Sequence, residues 1–134
     1  MTLFVVSAVV IRDEEGRIAL VRKRGTSRFM LPGGKRELGE SPAECAVREA
    51  REELGIDLDP ARLTLLGEWE APAANEPDHR VQGHIYVHPW IPGIAPRAEI
   101  EELVWMHPAD AVHRTDLAPL FEHRVLPALS SLDA

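Results

Sequence analysis

Apolar runs and short polar clusters alternate along the chain, and the period of each run predicts an element. Residues 3–11 are rich in Val and Ile, with apolar side chains at odd and even positions alike. That is the pattern of a strand covered on both faces. The polar cluster RDEEGR, containing Gly16, predicts a turn, and residues 18–22 the returning strand. A basic loop, RKRGTSR, then leads into the short apolar run FMLPGG. Ser41 is a good N-cap, Pro42 suits the first helical position, and Glu44 completes a capping box. The helix so begun is expected to run to about Leu54, with Gly55 ending it. At about 100° per residue, Ala43, Ala46, Val47, Ala50 and Leu54 gather on the side that packs on a sheet. Residues 63–70 and 80–88 read as two more strands, separated by the loop APAANEPDH. Residues 101–107 predict a final strand, and PADAV a brief helical turn. Residues 116–132 predict a closing helix, with Leu117, Leu120, Phe121, Val125 and Leu129 at helical spacing and Pro127 as a kink or early stop.

No repeat, low-complexity tract or long linker interrupts this order, so one domain spanning residues 1–134 is expected. Strands, a helix, more strands and another helix predict an α/β fold with a mixed central sheet between helical layers. Of the 134 residues, 45% are hydrophobic and 28% charged, ordinary for a globular chain. The formal net charge of −7 argues against a broad electrostatic grip on nucleic acid or an anionic membrane. A phosphate-bearing substrate would therefore need local basic residues or a metal. Cys45 is the only cysteine, which rules out an internal disulfide and favours a reducing interior. The apolar start lacks a basic n-region and a small-residue cleavage site, and it is too short to span a bilayer. A cytoplasmic location is the expectation.

One feature of the first helix runs against helix energetics. Glu49, Glu52 and Glu53 stand at spacings where like charges weaken a helix by a few tenths of a kcal/mol per pair, about 0.2–0.5. Three carboxylates on adjacent turns can converge on a hard cation such as Mg²⁺, which takes oxygen ligands. The competing reading is a solvated acidic face.

The surrounding residues favour the cation. From Gly34 the sequence runs Gly34-x5-Glu40-x7-Arg48-Glu49-Ala50-x-Glu52-Glu53-x-Gly55-Ile56. This resembles the Nudix box of the Nudix hydrolases with every fixed position filled. Ala50 stands where the family usually has a larger aliphatic residue, which touches packing and spares the ligands. The resemblance implies the family's α/β/α sandwich and hydrolysis of a nucleoside diphosphate linked to another moiety, with Mg²⁺ or Mn²⁺ as cofactor. By position it implies that Glu49, Glu52 and Glu53 bind metal, with the carbonyl of Gly33 completing the set. It implies further that Arg48 orients a carboxylate, foremost Glu49, and that Glu40 holds the loop against the helix and pairs with Arg48. Gly34 and Gly55 serve backbone geometry. A homodimer is compatible with the family's habit. A non-catalytic Nudix-like module that binds or senses a nucleotide is the alternative, and an isomerase on the same fold a third. The intact box argues against the sensor, and no additional catalytic residues for an isomerase can be located.

Family members often supply one more carboxylate from outside the box, as ligand or general base. Glu99 resembles that position by its distance before Trp105, and Glu102 is its rival. Should neither serve, Glu49 or Glu52 becomes the base. Arg22, Lys23, Arg24 and Arg28 crowd the loop before the glycines, and Lys35 follows them; these are candidates to meet substrate phosphates. Asn75, Glu76 and His79 sit in a loop long enough to shape a pocket. Pro72 resembles the pattern of the ADP-ribose pyrophosphatases within the family. His79, His84 and His88 lack metal-binding spacing, Cys45 lacks a basic partner, and Trp69, Tyr86 and Trp90 read as packing residues. The substrate itself is left open.

Overall fold

Alternation in the first strand sets the architecture. β1 (Thr2–Ile11) sends Ala8 and Val10 to one side and Val9 and Ile11 to the other, and all four are buried. In the computed structural model, which describes residues 2–133, each side meets its own hydrophobic core. Val9 and Ile11 pack with Val21, Ala50, Leu54, Ile56 and Ile100, beneath helix α1 (Pro42–Leu54). Ala8 and Val10 pack with Ile18, Leu20, Ile85, Phe121, Val125 and Leu129, beneath the C-terminal helical segment. Each fully buried Leu or Ile contributes about 2 kcal/mol relative to exposure, so the two cores clamp the sheet from both faces.

The main sheet runs β3 (Gly33–Lys35), β1, β5 (His79–His88), β4 (Thr64–Pro72). β1 and β5 are parallel, and the two outer pairings are antiparallel, so the sheet is mixed, as expected. β2 (Ile18–Lys23) and β6 (Ile100–Met106) form a separate antiparallel pair. A short helix, α2 (Pro108–Ala111), follows. Among the described residues, no helix is long and apolar enough to cross a membrane.

The capping box of α1 forms as its sequence dictates. The Glu44 amide donates to Ser41 Oγ at 3.1 Å and the Ser41 amide to Glu44 Oε1 at 2.8 Å. Gly55, at φ 69°, ends the helix in the left-handed region, where glycine alone carries no Cβ penalty.

Two sequence-based expectations need correction. The closing helix does not begin at Asp116. Leu117 instead forms a parallel bridge with Phe29, and the Phe29 amide donates to the carbonyl of Asp116 at 2.8 Å. The chain turns helical at Pro119, widens into a π turn over Phe121–Val125, and becomes α3 (Leu126–Asp133). Within the π turn the Leu126 amide reaches back five residues to Phe121. Pro127 has no amide for the usual bond four residues back, and the wider turn just precedes it. The buried side of α1 also differs: Cys45 and Glu53 are fully enclosed, while Ala43 and Val47 are only half-buried. Both side chains bond to β3: Glu53 Oε1 accepts from the Gly33 amide at 2.9 Å, and Cys45 Sγ donates to the Gly34 carbonyl at 3.4 Å.

Candidate active site

Residues without side chains bring sheet and helix together. β3 pairs with β1 at Ala8–Gly33, Ser7–Gly34 and Val6–Lys35 and runs alongside α1. A Cβ on Gly34 would collide with the carboxylate of Glu49, so Glu49 lies across the strand only because glycine stands there. The Gly33 amide donates to Glu53 Oε1 at 2.9 Å. Glu53 is 2% exposed, and its other oxygen, Oε2, has no hydrogen-bond partner among the described residues. Burial pushes its carboxyl up to about 8, against the opposing pull of the Gly33 amide and the Lys23 ammonium. Burial also raises Glu49, offset in part by Arg48.

Arg48 ties the loop to the helix. Its Nε donates to Glu40 Oε2 at 2.7 Å and its Nη2 to Glu40 Oε1 at 3.0 Å, the two-pronged geometry only a guanidinium provides. The hydrogen bond from Arg48 holds Glu40 down at about 2. Arg48 Nη1 reaches Glu49 Oε1 at 3.2 Å, and Nη2 reaches the carbonyl of Lys35 at 3.0 Å. Glu52 is exposed and outside the cleft lining, and lies at 3.4 Å from Arg48 Nη1.

The opposite wall comes from the segment before β6, which docks on the end of α1. The Ala95 amide donates to the Leu54 carbonyl at 3.2 Å and the Arg97 amide to the Glu53 carbonyl at 2.9 Å. Carbonyls that the helix leaves unpaired thus become the anchor for this segment. The Arg97 side chain lies where a Cβ on Gly55 would stand. Ala98 then adopts φ 54°, an uncommon conformation for a residue with a Cβ, and Glu99 enters the cleft. Its Oε1 lies 3.3 Å from Lys23 Nζ. Burial opposes the charge on Lys23, yet Glu53, Glu99 and Glu49 together raise its pKa.

These groups line one cleft of about 510 Å³, the size of a small-molecule site. Its lining joins the polar Glu49, Glu99, Lys23 and Lys35 and the two glycines with the apolar Phe4, Val6, Leu120 and Phe121. Asn75 and Glu76 reach it from the β4–β5 loop. His79, expected in that loop, instead opens β5 opposite Thr2 of β1 and is stacked on Phe4 with ring centroids 5.2 Å apart. Lys35 Nζ stands 3.8 Å from the centroid of the same ring.

The structure does not bring all the basic candidates to the cleft. Arg22 is occupied by Glu102 at 3.3 Å and by the Thr26 carbonyl at 2.9 Å. Arg24 pairs with Glu101 at 3.2 Å, and Arg28 donates to the Leu117 carbonyl at 2.9 Å. Glu102, held by Arg22, lies outside the cleft lining and Glu99 inside it. The strand irregularity between Arg22 and Lys23 separates these neighbours and has no signature in the sequence. His88 is buried and structural: its Nε2 accepts from the Asp59 amide at 3.0 Å and its Nδ1 faces the Pro89 carbonyl at 2.8 Å.

The donor set suits a hard divalent cation. Every candidate ligand is an oxygen, and the buried, unpartnered Oε2 of Glu53 is a group whose burial calls for a partner. Among the described residues, no three acidic, His or Cys side chains are already gathered as a metal cage. The carboxylates face Lys23 and Arg48 instead.

Comparison with known proteins matches this architecture. Residues 1–129 match the NUDIX domain, and the chain belongs to the Nudix hydrolase family. It is 35% identical to the CTP pyrophosphohydrolase of Escherichia coli (strain K12) over 123 residues, covering 86% of this chain and 82% of that protein. It is 49% identical to YjhB of Bacillus subtilis (strain 168) over 49 residues, which cover 37% of this chain but only 24% of that protein. The solution structure of the E. coli ORF135 protein superposes with a TM-score of 0.79 at 28% identity, covering 100% of this chain and 93% of that one.

Proposed function

We propose that this protein hydrolyses a pyrophosphate bond in a nucleoside diphosphate linked to another moiety, with Mg²⁺ or Mn²⁺ as cofactor. A nucleoside triphosphate, CTP foremost, is the first substrate to test. The observation that carries the reading is one cleft in which Glu49 and Glu99 adjoin two lysines and an apolar wall, with the unpartnered Glu53 buried behind its lining. Glu49, Glu52 and Glu53 would hold the cation, with the carbonyl of Gly33 beside them. When bound, it would neutralise phosphate charge and acidify a water. Arg48 keeps Glu49 in place and braces the glycine loop through Glu40. Glu99 stands free of α1 and would take the proton from the attacking water. Lys35 would meet a phosphate at the mouth, and the wall of Phe4, Val6, Leu120 and Phe121 would receive a base, with Asn75 and Glu76 at its edge. The likeness to a CTP pyrophosphohydrolase over most of both chains is the reason to test triphosphates before ADP-ribose and nucleotide sugars.

The test is a panel of nucleoside triphosphates, ADP-ribose, nucleotide sugars and dinucleoside polyphosphates with Mg²⁺ and with Mn²⁺, identifying products. Release of a nucleoside monophosphate and pyrophosphate from CTP, abolished by chelator, is expected. Full turnover in excess EDTA, with metal content checked, would overturn the metal-dependent reading. A preference for ADP-ribose would overturn the substrate assignment alone.

A further inference from the structure

Lys23 closes strand β2 at an irregularity. Arg22 faces Glu102 across the β2–β6 ladder, but Lys23 faces Ile100, so Glu101 is skipped. Such a bulge re-aims the side chains around it and is common beside active sites. Here it sets Glu101 outward with Arg24 at 3.2 Å, and the Arg24 amide closes on the Glu99 carbonyl at 2.8 Å. Lys23 is left facing inward. Its ammonium stands 3.3 Å from Glu99 Oε1, in the cleft that Glu49 also lines, with Glu53 buried behind. The neighbouring arginines, Arg22 and Arg24, are spent on surface pairs, and Arg48, held by Glu40, reaches Glu49 and Glu52 but not Glu99.

We infer that Lys23 is the resident counter-ion of the carboxylate cluster, occupying the electrostatic place of the divalent cation, which must displace it on binding. The inference rests on the metal-dependent reading above. Carboxylates lining and backing one cleft need positive charge nearby, and a lysine can supply it and then withdraw. Its four-carbon stem is flexible and its ammonium makes single bonds, whereas a guanidinium fork would stay fixed. Lys23 is thus a positioning residue: it holds Glu99 in the cleft that Glu49 also lines before metal arrives, and it weakens metal binding by the repulsion it must overcome.

The test measures metal binding without substrate. Mn²⁺ is titrated into metal-stripped protein by electron paramagnetic resonance, and Tm is recorded in EDTA and in saturating Mn²⁺. Lys23→Met should bind Mn²⁺ about tenfold more tightly than wild type, because a like charge in the same cleft is gone. Its Tm should fall below wild type in EDTA, by about 3 °C, and reach or exceed it in Mn²⁺. Lys23→Gln should behave the same way and serves if the methionine variant folds poorly. Unchanged or weaker Mn²⁺ binding in the variants would overturn the inference, and with a raised KM it would make Lys23 a phosphate contact. An equal loss of Tm in both conditions would overturn it as well, leaving Lys23 an ordinary packing residue. Wild type that binds no Mn²⁺ would instead overturn the metal-dependent reading itself.

Discussion

At the scale of single residues, Arg48 shows why chemistry and shape must be counted separately. Its charge could be kept by lysine, but its two bonds to Glu40, its bond to Glu49 and its bond to the Lys35 carbonyl need a planar fork. Arg48→Lys should therefore lower kcat by about tenfold or more. Tm should move by only a few degrees, since the side chain lies outside both hydrophobic cores. Steady-state kinetics beside thermal melting would separate the two effects, and an unchanged kcat would reduce Arg48 to a surface tie. Glu99 and Glu102 pose the matching question for the base. Glu99 lines the cleft, whereas Glu102 is held outside by Arg22 at 3.3 Å. Glu99→Gln should lower kcat about a hundredfold at saturating metal, the scale of a lost general base. Glu102→Gln should stay within a few-fold of wild type. The reverse pattern would show the wrong carboxylate was chosen. Two active variants would move the base to Glu49 or Glu52.

At the scale of elements, the site exists because β3 and α1 approach closely. The two glycines of β3 differ in what opposes them. A Cβ at Gly34 meets the end of the Glu49 side chain, whereas one at Gly33 meets the backbone of Ser7 and Ala8 in β1. A side chain can turn aside and a strand backbone cannot. Gly34→Ala should therefore leave Tm within a few degrees while cutting kcat about tenfold or more by displacing Glu49. Gly33→Ala should cost about 2 kcal/mol of stability, the scale of overpacking. Chemical denaturation and kinetics on the two variants would check the contrast; equal stability losses would mean that the strand, not Glu49, absorbs both changes. The end of α1 works similarly. It gives the carbonyls of Glu53 and Leu54 to the segment that carries Glu99, so two carboxylates far apart in sequence are placed by one helix terminus.

For the molecule as a whole, the acidic site costs stability that the cation should restore. Glu53 loses its proton near 4.5 when unfolded but near 8 in the metal-free fold, chiefly because it is buried. Between those values the folded state holds an extra proton, so this group lowers stability as pH rises across the window. In EDTA, Tm should fall from pH 5 to pH 8 by more in wild type than in Glu53→Gln, whose side chain does not titrate. Saturating Mn²⁺ should reduce that difference in slope, since the cation stabilises the ionised carboxylate. Parallel wild-type and variant profiles in EDTA would show that Glu53 is not the titrating group.

How much of this was legible in advance depended on whether the cause was local. The capping box of Ser41 and Glu44, the stop at Gly55, the two-faced β1 and the mixed sheet between helical layers follow from periodicity and turn chemistry, which act over a few neighbours. The box residues from Gly34 to Ile56 were readable because their spacing repeats a known pattern. The pairing of Arg48 with Glu40 was implied in the same way. Tertiary structure alone decided the rest. It buried Glu53 and Cys45 against β3, where backbone groups of another element, the Gly33 amide and the Gly34 carbonyl, bond to them. It moved the start of the closing helix to Pro119, because Leu117 found a strand partner in Phe29. It turned Arg22, Arg24 and Arg28 to other partners and aimed Lys23 at Glu99 through a bulge between strands distant in sequence. Helical period and capping are set by the chain's own neighbours, whereas which charge faces which carboxylate is set by register between elements, and register exists only once the sheet has formed.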